Sequence, residues 1–450
     1  MKKLRIAMVA ACPFPANHGT PACIREMSES LAKRGHLVHV VTYPLKQDDI
    51  PVHGVQIHRV QPPWQVDQNA ITVGPSKARM LYDILMIKKL CQVVFKEKID
   101  VIHGHNYEGT IIGSVAKFIT GRPLLYSAVN SMVDELPSYN FIRPKSLARL
   151  LAKALDFITP RLADFIATIS NELFLYYLKQ GVSEKRMTVV PAGVDFELFA
   201  SSQGEPIREK YNLYGHPLVI YTGVLDRFQR LDYLFQAMQK VINEVPKARL
   251  LIMGNLVKDI TPFQQMAAEL GIESQVIFAL NQPLSALPHY LDAADVTVIP
   301  RPDTPGFPIK LLNYMAAARA TVSFQGSAKG MTHLYNGLVV PDHDVTAFGR
   351  EIVWLLRNPE LRQRLGTNAL RLAKSDFNWD RLSIMIEQIY AAMLGNHVEP
   401  RQLHPMEIEL RQKLGLPITS DQAGKDSAPE EFPYSTQEAG EKSSKRGIFA

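Results

Sequence analysis

The stretch "PGFPIKLLNYMAAARATV", residues 305–322, runs from a Gly/Pro turn into apolar residues at helical spacing and leaves through small residues into an apolar strand. With "DVTVIP" before it, this makes a strand–turn–helix–strand unit, the building block of a parallel sheet covered by helices. The stretch contains no Asp, Glu or His, so its chemistry rests on Lys310 in the first helical turn. A helix start is already positive through its free N–H groups and dipole, so a cation there opposes the helix unless an anion is held nearby. The segment reads as the wall of a phosphate site, with Gly306 letting a ligand approach the backbone.

Outward from this unit the same alternation continues in both directions. "PLVIYTG", "ARLLIMG", "QVIFAL", "DVTVIP", "ATVSF" and "NGLVVP" are strands, with a helix over residues 231–245 and another over 309–318. An earlier series comprises "LRIAMVAAC", a helix from 21 to 34, "LVHVVTY", "DVIHGH", "PLLYSAV", "ADFIATIS" and "MTVVPAGVD". The fold class is therefore α/β, as two doubly wound, Rossmann-like halves: residues 1–195 and 196–378. Ligands of such sheets sit beyond the carboxyl ends of the strands, so two facing sheets enclose an interdomain cleft. Residues 379–396 read as an amphipathic helix crossing back to the first domain. From 397 to 450 the text is polar and without apolar periodicity, and is expected to be a disordered tail.

Length and composition agree with this division. A chain of 450 residues with 46% hydrophobic and 21% charged residues exceeds one ordinary core. A net charge of +6 favours anionic partners without choosing among them. Cys12, Cys23 and Cys91 have neither disulfide-framework nor metal-site spacing, which suits a reducing, cytoplasmic compartment and no metal. The apolar run Ile6–Ala11 is too short for a signal peptide and reads as a strand. No run is long enough to span a bilayer. No nucleic-acid-binding motif is present.

The ordered series "CPFPANHGTP", "LAKRGHLVHVVTY", "DVIHGHNYEG", "RPLLYSAVNSMVDELPSY", "ADFIATISN", "VVPAGVD", "IYTGVLDRFQRLDYL", "LDAADVTVIPR", "PIKLLNYMAA" and "NGLVVPDHD" resembles the retaining GT-B glycosyltransferases of family 4. The resemblance spans roughly residues 4–394. It implies transfer of a sugar from a UDP- or GDP-linked donor, without a metal or other cofactor, to an acceptor such as a lipid or cell-envelope glycan precursor. Two further readings share the architecture: a GT-B scaffold without turnover, and a nucleotide-sugar epimerase.

Several family positions are substituted here. Where the family places an Arg after the glycine and a Lys five residues later, both toward the donor diphosphate, this chain has Val224 and Gln229. Arg227 and Arg230 keep positive charge in that loop, and an arginine fork grips phosphate in a bidentate manner. The two family acidic positions are Pro305 and Asn313, of which Asn313 still hydrogen-bonds to ribose or sugar hydroxyls. The family histidine near the sugar is Val129. Asn130 and His105 are the remaining candidates for a catalytic role near the sugar, with His103 and His105 expected on opposite faces of their strand. Gly19 and Gly223 complete the expected donor-binding set with Gly306, Arg227, Gln229, Arg230, Lys310 and Asn313. Basic amphipathic text at residues 74–90 and 140–165 suggests peripheral association with an anionic membrane, at the inner face of the cell membrane.

Overall fold

The computed structural model describes residues 2–16, 19–45, 50–66, 76–139, 142–225, 229–255, 259–302, 307–395 and 402–418. Runs of β-branched and aliphatic residues form two wholly parallel sheets, as strands buried on both faces require. The first contains β1 (Arg5–Ala10), β2 (Leu37–Thr42), β3 (Val55–Arg59), β4 (Val101–His105), β5 (Leu124–Ala128), β6 (Phe165–Thr168) and β7 (Met187–Val189) in the order β3-β2-β1-β4-β5-β6-β7. The second contains β8 (Leu218–Val224), β9 (Arg249–Asn255), β10 (Val276–Leu280), β11 (Val296–Ile299), β12 (Thr321–Phe324) and β13 (Leu338–Val340) in the order β10-β9-β8-β11-β12-β13. Strand order reverses between β1 and β4 and between β8 and β11. A doubly wound sheet opens its ligand crevice at such a switch point.

The carboxyl ends of the two sheets meet. The helix Asn171–Lys179 follows β6 and carries Glu172 in its first turn. Lys329, in the segment after β12, places its ammonium 2.7 Å from the Glu172 carboxylate. Burial pushes that carboxyl up, but the Lys329 ammonium, together with hydrogen bonds from its own backbone N–H and from Ser170, holds it below its ordinary value. This ion pair spans the two domains beyond the ends of β6 and β12.

Helix Trp379–Met393 lies on helix Gly19–Lys33 of the first domain. Its apolar stripe includes Leu382, Ile386 and Ile389, which join the core beneath β1, β2 and β4. At its far end Glu387 accepts from Arg34 Nε at 2.5 Å and faces His36 Nε2 at 2.9 Å. Burial alone would raise this carboxyl; the hydrogen bonds from His36 and Arg34 instead hold it at about 2. A folded-state value below the ordinary 4.5 means that this stabilisation is complete above that value and lost as pH falls toward 2. Glu387→Gln is expected to cost about 2 kcal/mol at neutral pH. Melting temperatures measured across pH should show the gap to the parent protein closing on acidification.

The polar segment after residue 397 is more structured than its composition suggests. Residues Pro405–Leu414 form a helix that docks on β7, the edge strand of the first sheet. Glu407, fully buried, accepts from Val189 N at 2.8 Å and Thr188 Oγ1 at 2.5 Å, and Arg411 Nε donates to it at 2.7 Å. A carboxylate thus satisfies an edge-strand donor, as a further strand would. The expected tail of 397–450 is corrected accordingly over 405–414.

Candidate active site at the second switch point

Residues from three separate parts of the sequence converge where β8 ends. Gly223 has φ +127°, a conformation that side chains rarely adopt, and a Cβ placed there would lie 3.0 Å from Lys310 Nζ. Lys310 lies in the first turn of helix Ile309–Ala316, which follows β11, so the topology delivers its side chain to the end of the neighbouring strand β8. Its ammonium donates to Gln229 Oε1 at 3.0 Å and stands 3.9 Å from the centroid of the Tyr221 ring. Gln229 is buried and holds the position of the family lysine; here the cation comes from the helix instead.

Among the described residues Lys310 has no carboxylate partner. Burial pulls its ammonium well below the ordinary lysine value, and the like charge of Arg301 adds to the effect. A part-buried ammonium drawn out of water, its charged form disfavoured further by Arg301, is an arrangement that a bound anion would relieve. Among the described residues the helix start beside it has no side-chain cap, as suits a site for phosphate oxygens. Asn313, three residues further on and part-buried, shares the Lys310 face of the helix.

The remaining sequence candidates are placed differently. Arg230, in a left-handed conformation just before helix Leu231–Glu244, forms a fork with Asp232 at 2.9 and 2.7 Å and lies 3.4 Å from the centroid of the Tyr233 ring. Its charge is engaged by its own helix. Arg227 and Gly306 lie outside the described residues. Gly19 opens helix Gly19–Lys33 after β1 with φ +56° and open space where a side chain would begin.

The histidines correct the expectation of opposite faces. His103 and His105 are two residues apart in β4, and side chains two apart along a strand share a face. Their rings stack with centroids 4.3 Å apart. His103 bridges Tyr390 Oη and Ser127 Oγ, each at 2.7 Å, whereas His105 Nε2 is buried and has no partner among the described residues. Burial lowers the His105 pKa to about 3, so it is neutral at physiological pH and a weak base.

Asn130, in the loop after β5, donates its side-chain amide to Glu135, and its carbonyl accepts from Tyr107 Oη at 3.0 Å. This loop has an anchor that the sequence reading missed. Asp156, fully buried, accepts from Met132 N at 2.8 Å, Val133 N at 3.1 Å, Tyr176 Oη at 2.7 Å and also Tyr107 Oη. The signal was present: Asp156 continues the small-residue stripe of Ala148 and Ala152 at intervals of four, a charged residue on the inward face of a basic helix.

Comparison with known proteins agrees with this architecture. The model of "Glycosyltransferase Family 4" matches residues 18–198 and that of "Glycosyl transferases group 1" matches residues 204–371. A D-inositol 3-phosphate glycosyltransferase of Thermobispora bispora is 26% identical over 309 residues, covering 66% of this chain and 71% of that protein. N-acetyl-alpha-D-glucosaminyl L-malate synthase of Bacillus anthracis is 22% identical, covering 87% of this chain and 98% of that protein. Sucrose-phosphate synthase from Thermosynechococcus elongatus superimposes with a TM-score of 0.72 at 20% identity, over 87% of this chain and all of that one. Anabaena HepE in complex with UDP-glucose superimposes with a TM-score of 0.66 at 15% identity, again over 87% of this chain and all of that one. Two Rossmann-like domains, each built on a parallel sheet, define the GT-B fold. The chain belongs to glycosyltransferase family 4.

Proposed function

We propose that this chain is a metal-independent, retaining glycosyltransferase that binds a UDP- or GDP-linked sugar with its diphosphate against Lys310. The observation that carries the reading is the part-buried Lys310 ammonium, held by Gln229 and Tyr221 beside Gly223 and without an acidic partner among the described residues. In this reading the bond from the anomeric carbon to the diphosphate oxygen breaks and a bond to the acceptor oxygen forms on the same face. The acceptor's proton passes to the departing phosphate. Lys310, protonated when the diphosphate is bound, stabilises the charge growing on the leaving group. Asn313 meets ribose or sugar hydroxyls, and Gly19 leaves room for the donor and acceptor on the opposite wall. Arg230, paired with Asp232, shapes the loop. This division of labour requires no general base from the protein, which is compatible with Val129 at the histidine position and with the buried, neutral His105.

The acceptor side is the loop held by Asp156, and we assign to it a lipid-linked or cell-envelope glycan precursor handled in the cytoplasm. The test is a panel of UDP-, GDP- and ADP-sugars followed by NMR at the anomeric proton. Transfer with the donor's anomeric configuration kept is expected. Inversion of a ring centre without transfer would indicate an epimerase, and nucleotide binding without any turnover would indicate a scaffold.

A further inference from the structure

One surface of the first domain is not explained by the cleft. Helix Lys77–Lys96, helix Asn106–Thr120 and helix Lys145–Leu162 cover the same side of the first sheet, the middle one packing against both others. Twelve of the eighteen large apolar side chains exposed among the described residues lie on these three helices. Isolated exposed apolar residues are ordinary, but a contiguous set is not. Phe118 is 92% exposed, Leu150 65% and Ile84 64%, and Phe95, Phe157 and Ile119 are also open to solvent. Between the middle and third helices lies a pocket of about 400 Å³ lined by Ser114, Val115, Lys117, Phe118 and Leu162.

The charge on this surface is one-sided. The three helices carry ten Lys and Arg against three acidic residues. Of those three, Asp156 is buried in the loop network and Asp83 accepts from Tyr43 Oη at 2.6 Å. Lys145, Arg149 and Lys153 are all exposed on the third helix, among its open leucines.

We propose that this three-helix face seats the protein on an anionic lipid bilayer. Its large apolar side chains enter the boundary between headgroups and acyl chains, while the lysines and arginines reach anionic headgroups with stems long enough to stay at that level. Among the described residues no helix is long and apolar enough to cross a membrane, so the contact is with one leaflet. The third helix gives the contact its purpose. Its outer face presents Leu150 and Phe157, and its inner face presents Asp156, which holds the backbone of Met132 and Val133 in the loop after β5. The bilayer and the acceptor loop are thus two sides of one helix. This purpose rests on the glycosyltransferase reading; the binding itself does not.

The experiment is co-sedimentation of the full chain with vesicles of phosphatidylcholine, with and without phosphatidylglycerol. Binding is expected on the anionic vesicles, weak binding on the neutral ones, and a marked loss in high salt. The triple variant Lys145→Gln, Arg149→Gln, Lys153→Gln should reduce partitioning at least about tenfold, and so should Phe118→Ser with Ile119→Ser. All five side chains lie at the surface or beside it, so melting temperature and UDP affinity serve as the folding controls and should be unchanged. No pelleting on either vesicle, or pelleting that the triple variant leaves intact, overturns the proposal. A dimer in sedimentation velocity that Phe118→Ser dissociates would also overturn it by assigning the face to a second copy. UDP binding without vesicle binding refutes this proposal alone, whereas vesicle binding without nucleotide binding refutes the donor site and leaves this face standing.

Discussion

Lys310→Met is expected to weaken UDP or GDP binding more than 100-fold, about 3 kcal/mol, because it removes the cation at the end of β8 while keeping the volume of the stem. The parent side chain reaches Gln229 Oε1 at 3.0 Å over the Tyr221 ring. Lys310→Arg should not restore full affinity: a Cβ at Gly223 would already be 3.0 Å from Nζ, which leaves little space for a planar guanidinium. Isothermal calorimetry with the nucleoside diphosphate measures both variants. The unliganded variant should also melt higher than the parent. Burial lowers the Lys310 pKa, so the folded state binds fewer protons than the unfolded state below the ordinary lysine value, and the parent residue costs stability there. Lost binding with gained stability marks a residue kept for its ligand. Lost binding with lost stability would instead mark a structural lysine.

Asp156→Ala should have the largest effect on the fold near the site. It strips the acceptor from two backbone amides and two tyrosine hydroxyls in a fully buried position. Unsatisfied donors of this kind cost about 1–3 kcal/mol each, with part recovered by relaxation, so a net loss of about 4 kcal/mol is expected. Asp156→Asn keeps one acceptor oxygen and should lose about half as much. Hydrogen exchange at Met132 and Val133 should accelerate in both variants. Acceptor KM should rise with nucleotide affinity unchanged, since the donor corner lies on the other domain. Equal loss of both affinities would mean that the domain had come apart.

These two sites differ in how far the sequence reveals them. The run 305–322 shows its helix and strand because apolar spacing and the Gly/Pro punctuation agree, and Lys310 stands out as a cation at the wrong end of a helix. Its pairing with Gln229 joins residues 81 apart and appears only when β11 is laid beside β8. Asp156 is legible as a charge on an inward stripe, although the basic outer face of the same helix is the stronger signal in the sequence. The short edge strand β3, "VQIHR", alternates as a strand should and passed unread beside longer apolar runs. Helix Pro405–Leu414 was hidden for a different reason. Its anchor is one buried carboxylate, Glu407, rather than an apolar stripe, and periodicity does not report such an anchor. The two histidines of β4 show that period-two arithmetic decides the face, and that only the structure reveals Tyr390 arriving from the C-terminal helix.

The central claim is that a diphosphate binds against an ammonium whose proton is held weakly until the ligand arrives. UDP titrations carried from neutral pH up into the ordinary lysine range, in two buffers of different ionisation enthalpy, test it most directly. As pH rises toward the ordinary lysine value the parent protein should take up protons on binding UDP, and Lys310→Met should not. Buffer-independent enthalpy in the parent, together with undiminished UDP affinity in Lys310→Met, would contradict it.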